Sequence, residues 1–335
     1  MLNFRPVFTT LALGFALSAS AQTWQVANQL KVGGEGRWDY LTVDSSTHTL
    51  YVPRTSHTLV LDESGKQLAD IPGQKGNHGV ALVPSAGRGF ITDGGGEGAL
   101  VIFDLKTYKV LGTLKALPDA DGIIYDKASN KVLFVSGDGE TLLTVSPDVD
   151  PVHGQLDPPI KLGGKPEFLA ADGAGRVFIN LENKDTLQAV DLKARKVIAT
   201  WPVAPGGAPV GLAIDPASHH LFIGCRKPAL LVEMSTADGK ILGSVPIGNG
   251  VDATAFLDGQ AFASTGDGNL TIAAEKNGKL EVVQTVKTAL GARTLGVDTS
   301  AKKIFLPTSE FEGTQANGRP RQKPGTFLLL EVTRK

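Results

Sequence analysis

A β-propeller of seven four-stranded blades is the fold class this sequence predicts, and three observations predict it. First, an aromatic residue inside an apolar run recurs as Leu50-Tyr51-Val52, Gly89-Phe90-Ile91, Leu133-Phe134-Val135, Val177-Phe178-Ile179, Leu221-Phe222-Ile223, Ala261-Phe262-Ala263 and Ile304-Phe305-Leu306. The aromatic positions fall 39 to 44 residues apart, a period that marks repeat arrays whose units bury their faces on one another. Second, each interval accommodates four short apolar runs divided by turn residues, the content of one propeller blade. Third, an apolar-alternating stretch, Trp24–Val32, stands alone ahead of the first unit, while the last unit is one strand short.

The elements follow in order. Residues 1–21 read as a secretory signal peptide: Arg5 precedes an apolar run from Val7 to Leu17, and Ala19-Ser20-Ala21 supplies small residues at the cleavage position. That run is too short to span a bilayer. The expected mature chain is an exported single domain, 22–335, periplasmic or extracellular. In Trp24–Val32, Trp24, Val26, Leu30 and Val32 share one face and Asn28 interrupts it, the period of a half-buried strand.

The first unit contributes strands near Tyr40–Val43, Leu50–Arg54, Thr58–Asp62 and Gln67–Ile71, here named A to D, with Asp44-Ser45-Ser46 and Glu63-Ser64-Gly65 as turns. Strand A returns at Val80–Val83, Ile123–Tyr125, Phe168–Ala171, Gly211–Ile214, Ala253–Phe256 and Leu295–Val297. The third unit carries an excursion, Pro147–Pro159, before its last strand. In the seventh, Phe327–Val332 makes strand C and no strand D follows. Pairing Trp24–Val32 with it closes the ring and removes the exposed sheet edges.

Composition agrees with this architecture and excludes some functions. An apolar content of 41% supports a sizeable core, and 40 Gly with 19 Pro suits tight turns better than helices. A formal charge of −1 argues against nucleic acid as partner, since such binding rests on basic residues neutralising phosphates. The single cysteine, Cys225, permits no intramolecular disulfide.

Strand B resembles the Tyr-Val-Thr-Asn repeat of the exported YVTN/YncE-like β-propellers. Phe90-Ile91-Thr92-Asp93 is close, Phe134-Val135-Ser136-Gly137 is looser, and Tyr51-Val52-Pro53-Arg54 departs after two residues. The resemblance runs over the whole mature chain. It implies a fold and export rather than one activity, because members of a fold carry many functions.

Strand A starts and strand B ends on one propeller face, near the central channel. Counting back from each strand A gives Asp39, Gly79, Asp121, Glu167, Val210, Asp252 and Arg293, with Trp38 and His78 as neighbours. Carboxylates gathered there raise one another's pKa or call for a cation, with calcium or magnesium the expected ions. They can equally cap strand ends. The ends of strand B add Arg54, Asp93, Asp138, Asn180, Glu182, Cys225, Arg226, Asp267 and Glu310, of which Asp138 and Asp267 suit turns. Arg226 beside Cys225 would lower the thiol pKa if the two met; a buried, inert cysteine is the competing reading. Between strands B and C of the last unit, Ser309–Gly325 inserts Arg319-Pro320-Arg321-Gln322-Lys323, a basic segment placed to cover the acidic mouth, to meet an anionic partner or to remain a solvent loop.

Two functions remain open. One is a binding or scaffold protein holding a small ligand or protein partner at the channel face through Trp38, Asp39, His78, Asp121, Glu167, Arg226, Asp252 and Arg293. The other is a metal-dependent enzyme, a lactone hydrolase or lyase, with Asp39, Asp121, Glu167 or Asp252 as ligands and His78, Asp121 or Glu167 as catalytic groups. Glu35-Gly36-Arg37-Trp38 resembles the Glu-Gly-Pro-x-Trp opening of gluconolactonase/senescence-marker propellers, which implies a metal-ligand role for Glu35. The Pro and the spacing before Trp differ. His-Glu-x-x-His, Gly-x-Ser-x-Gly and Cys-x-x-Cys are absent, and Gly94–Gly98 precedes a strand and lacks a following Lys-Ser/Thr, so it is a turn.

Overall fold

The computed structural model describes residues 23–315 and 320–335. The signal-peptide reading of residues 1–21, and Arg319, lie outside the described residues. The chain winds into seven radial blades. The first two share one seven-stranded sheet and the other five are separate four-stranded sheets.

Blades 1 and 2 merge because strand D of the first and strand A of the second form one continuous strand, Gln67–Val83. It pairs with Thr55–Leu61 at one end and Arg88–Asp93 at the other. Sequence reading placed two strands here. The strand runs on through Gly73–Gly76 without a turn, with Gly73 at a positive φ of 95°. In blade 3 the Pro147–Pro159 excursion leaves a last strand of only Ile160–Lys161.

Ring closure follows the predicted pairing. Trp24–Lys31 lies antiparallel to Leu328–Arg334, from Trp24 opposite Arg334 to Lys31 opposite Leu328. The interruption at Asn28 is a register shift between Val26 and Asn28, and the Asn28 amide donates to Glu331 Oε2 at 2.6 Å. Trp24 also grips blade 6. It is buried, its ring meets Phe262 edge-on at 5.1 Å, and its indole N–H donates to Gln260 Oε1 at 2.8 Å.

The core is divided among the blade interfaces. All seven repeat aromatics are buried, with Phe222 the most exposed at 5%. One cluster, for example, joins Val132, Phe134 and Leu143 of blade 3 to Phe90, Leu100 and Ile102 of blade 2. Another joins Phe305, Phe327 and Leu329 of blade 7 to Leu50, Val52 and Leu59 of blade 1. Stability is therefore spread around a ring in which each blade needs both neighbours.

Arg54 occupies the seam where the chain crosses from the closing strand into blade 1. Its side chain is fully buried and stacks over Phe327, 3.7 Å from the ring centroid. It donates to the carbonyls of Gly33, Gly36 and Arg37 at 3.0–3.2 Å. A planar guanidinium satisfies several diverging carbonyls at once, which a lysine cannot do.

Replacing Trp24 by Ala removes the ring from its Phe262 contact and takes the indole donor from Gln260, whose Oε1 keeps Arg334 Nη2 at 3.4 Å. The expected loss is about 3–5 kcal/mol of unfolding free energy in a guanidinium titration. A loss below about 1 kcal/mol would show that the closing strand contributes little to the fold.

Candidate functional site

The channel mouth is built by a recurring defect in strand pairing. Between strands A and B the register shifts between Asn77 and Val80 in blade 2, between Phe134 and Ser136 opposite Asp121 in blade 3, between Pro166 and Leu169 in blade 4, between Pro209 and Gly211 in blade 5, and between Val251 and Ala253 in blade 6. Each shift falls on a ring position: His78 and Gly79, Asp121, Glu167, Val210 and Asp252. Bulges of this kind re-aim a side chain that regular pairing would hold on a sheet face. Asp39 and Arg293 precede the short first strands of blades 1 and 7.

Two groups form around the mouth. In the first, His78 Nδ1 lies 2.7 Å from Asp39 Oδ2 and 3.5 Å from Asp121 Oδ1. Lys165 Nζ stands 3.4 Å from Asp119 and 4.0 Å from Glu167. In the second, Arg226 donates through Nε to the Val251 carbonyl at 3.0 Å and through Nη1 to Glu182 at 2.8 Å. Its Nη2 reaches Asp252 Oδ1, and Arg293 Nε takes the other oxygen of the same carboxylate. Glu182 opens a 3-10 turn, Glu182–Lys184, directly after strand B of blade 4, which carries it to the mouth. Val210 is buried and contributes no charge.

Burial among like charges shifts several of these groups. Burial alone would push the His78 imidazole down, but the hydrogen bond it donates to Asp39 and the charges of Asp121 and Asp39 outweigh it and lift it to about 9. Burial raises Asp121 to about 8 against the opposing charge of His78. Burial and a hydrogen bond with Glu182 raise Glu167 to about 9. Beneath the ring, Tyr40 packs its ring 4.6 Å from Phe168. Burial, then the charges of Asp252, Asp121, Asp39 and Glu167, hold its hydroxyl well above the usual tyrosine range.

The candidate residues thus separate by role. Asp39, His78 and Asp121 are the ring candidates whose ligand atoms lie within 4.8 Å of one another. Glu35, expected from resemblance to be a metal ligand, is exposed and outside that group. The reason is local: Arg54 gathers the carbonyls on either side of Glu35, so this segment wraps the guanidinium and its carboxylate faces outward. Asp252 has both oxygens engaged by guanidiniums, which makes it a counter-ion rather than a free metal ligand. The Asp39 hydrogen bond and the nearby carboxylates favour the protonated form of His78, which works against a general-base role at neutral pH.

Cys225 and Arg226 do not meet as the lowered-thiol reading required. Successive strand residues point to opposite faces: Cys225 joins the core between blades 4 and 5 while Arg226 enters the mouth. Burial pushes the thiol up to about 12. Asp267 does serve a turn, accepting from Thr265 Oγ1, the Asn249 amide and Asn269.

The insertion of blade 7 folds as a hairpin, Phe311–Thr314 paired with Pro320–Gln322. Among the described residues, the side chains it turns to the mouth are not basic. Phe311 meets Trp38 edge-on at 6.3 Å, and Gln322 Nε2 donates to the Gly36 carbonyl at 3.3 Å and to Ser309 Oγ at 3.0 Å. Lys323 is tied to Glu310 at 3.0 Å and Arg321 is exposed. Under the hairpin lies a cavity of about 470 Å³, lined by Arg37, Trp38, Arg226, Asp252, Leu290, Arg293, Phe311 and Gln322 among others. Sequence reading missed Tyr40, Lys165 and the Phe311–Gln322 face. The aromatic at position 311 within a Gly-rich insertion was the one signal that pointed to the last of these.

No family model matches the chain, and no curated protein matches it. Among solved structures it is similar to the WD40 repeats of RRP9, at 11% identity and a TM-score of 0.76 over 94% of this chain and 100% of that one. It is also similar to the WD40 β-propeller domain of Doa1, at 15% identity and a TM-score of 0.71 over 93% and 97%. A Kuenenia stuttgartiensis hydrazine synthase chain matches at 11% identity and a TM-score of 0.69 over 88% and 96%. These likenesses show the β-propeller fold and no family assignment, so the YVTN/YncE resemblance rests on its tetrapeptides. Among the described residues, no helix is long and apolar enough to cross a membrane.

The raised groups make stability depend on pH with a definite sign. A histidine whose folded pKa exceeds its unfolded value of 6.5 stabilises fully below 6.5, and that contribution is lost as pH rises toward about 9. Asp121 and Glu167 act in the same sense, because the folded state retains protons that the unfolded chain has released by neutral pH. Denaturant titrations should show unfolding free energy falling from pH 6.5 to 9, by up to about 2–3 kcal/mol for each fully shifted group. His78→Gln should remove the histidine's share of that fall and leave that of the carboxyls, and a flat parent profile would contradict the arrangement.

Proposed function

We propose that this chain is an exported binding protein whose propeller holds a small molecule in the cavity between the channel mouth and the hairpin of blade 7. The cavity under the hairpin carries the reading. Its size falls in the range of small-molecule sites, which are concave, largely apolar and equipped with a few convergent polar groups. Trp38, Leu290 and Phe311 provide apolar walls, and Arg226, Asp252 and Arg293 provide the polar floor. Rigid blades hold the floor, and a hairpin from a single insertion forms the roof. The strand B tetrapeptides and the signal-peptide pattern support export.

A second reading is a cation-dependent enzyme, and the convergence of Asp39, His78 and Asp121 favours it. Asp121 Oδ1 is buried and has no hydrogen-bond partner among the described residues, an oxygen available to an ion. A calcium, magnesium or other divalent ion would have to displace the proton of His78 to use that nitrogen. It would then polarise a carbonyl or activate a water, with Glu167 nearby as a protonated acid.

The binding reading is tested by a thermal-shift screen of small metabolites against the parent and Leu290→Trp. Leu290 is 49% exposed and lines the cavity, so the larger ring fills space without disturbing the core. At least one compound should raise the parent's melting temperature by about 2 °C or more and lose its effect on the variant. Stabilisation that ignores the variant would place binding elsewhere. The cation reading predicts stoichiometric metal by mass spectrometry in the purified parent that disappears in Asp39→Asn/Asp121→Asn; a metal-free parent that takes up none on dialysis argues against it.

A further inference from the structure

The cavity wall is strongly asymmetric in charge. It presents three guanidiniums, Arg37, Arg226 and Arg293, against the single carboxylate of Asp252. Arg226 is the more heavily committed: Nε, Nη1 and Nη2 each serve a protein acceptor, and Glu182 and Asp252 balance its charge. Arg293 differs. Only its Nε is engaged, by Asp252, and among the described residues neither terminal amino group has an acceptor. Its side chain is 43% exposed and lines the cavity.

This geometry leaves one guanidinium edge open and oriented. Asp252 fixes the guanidinium through Nε, so the two terminal amino groups form a preorganised fork, the arrangement that binds a carboxylate through two parallel hydrogen bonds. Beside it the wall offers Trp38, Leu290 and Phe311 as apolar surface, with Gln315 and Gln322 among the polar groups. Trp38 is 9% exposed and its indole N–H has no acceptor among the described residues, which is unusual for a buried donor.

From these observations we infer that the cavity selects a small organic monocarboxylate with an apolar or aromatic body, its carboxylate on the terminal amino groups of Arg293 and its body against the touching rings of Trp38 and Phe311. This rests on the cavity being the binding site. A single free fork suits one carboxylate. A phosphate dianion would place its second charge toward Asp252, and an amine would face three guanidiniums, so both are disfavoured.

Calorimetric titration of the full mature chain with phenylacetate, 3-phenylpropionate and indole-3-acetate, each beside its matched amide and amine, tests this directly. At least one acid should bind, with its amide weaker by about tenfold or more. Arg293→Gln should weaken the acid by a similar factor and leave the amide unchanged, and Arg293→Lys should recover only part of the loss. The acid–amide comparison on the parent decides the matter even if the Arg293 variants fold poorly. Amide or amine binding equal to the acid, abolished by Leu290→Trp, would overturn the carboxylate inference and leave the cavity as the binding site. If none of the compounds binds the parent, the inference is overturned, while the cavity reading then stands or falls on the metabolite screen.

Discussion

Everything at the channel mouth depends on one pairing, that of the first described strand with the last. Trp24–Lys31 completes the sheet begun by Gly296–Asp298, Lys303–Thr308 and Leu328–Arg334. A propeller has no independent core: its apolar residues lie between blades, so an open ring would expose two blade faces and their edges. Trp24 adds a contact to blade 6, and blade 7 is thereby held from both sides. Cooperative closure is what allows side chains from seven blades to keep fixed positions around one axis.

Closure also sets the path of the chain into the site. After the closing strand, residues 33–37 turn around the Arg54 guanidinium before reaching Trp38 and Asp39. A fully buried arginine is costly to desolvate, and here its donors meet carbonyls that would otherwise be orphaned at the seam. The same wrapping that seats Trp38 against Phe327 and brings Asp39 to His78 turns Glu35 outward. Glycines at 33, 34 and 36 adopt positive φ values of 75–94°, which such a tight path requires and other residues resist.

The mouth itself solves an electrostatic problem in two ways. On one side, carboxylates share protons: His78 sits between Asp39 and Asp121, while Glu167 and Glu182 bond to each other. On the other, Asp252 is neutralised by two arginines from different blades. Tyr40 and Phe168 close the channel beneath both. The result is a polarised mouth, proton-rich near blades 2 to 4 and guanidinium-rich near blades 5 to 7, with the hairpin roof above the second half. The two arginines on Asp252 are unequally committed: Arg226 serves protein acceptors through all three of its nitrogens, and Arg293 through Nε alone among the described residues.

The sequence by itself determined the blade count, the closing strand and the ring positions. These depend on burial at a fixed period, and a buried Phe every forty or so residues is a local signal that survives without knowledge of any contact. Even the interruption at Asn28 was legible, as a break in alternation that became a bulge. Only the tertiary structure decided which ring acids meet which bases. Asp252 finds Arg226 and Arg293, 26 and 41 residues away, and His78 finds Asp39 across 39. Those meetings depend on bulges that re-aim single side chains and on the Arg54 seam, neither of which leaves a periodic trace. The separation of Cys225 from Arg226 needed only strand alternation together with knowledge of which face was core. The hairpin under Phe311 needed the blade beside it, because a short insertion has no fold until a neighbouring surface orders it.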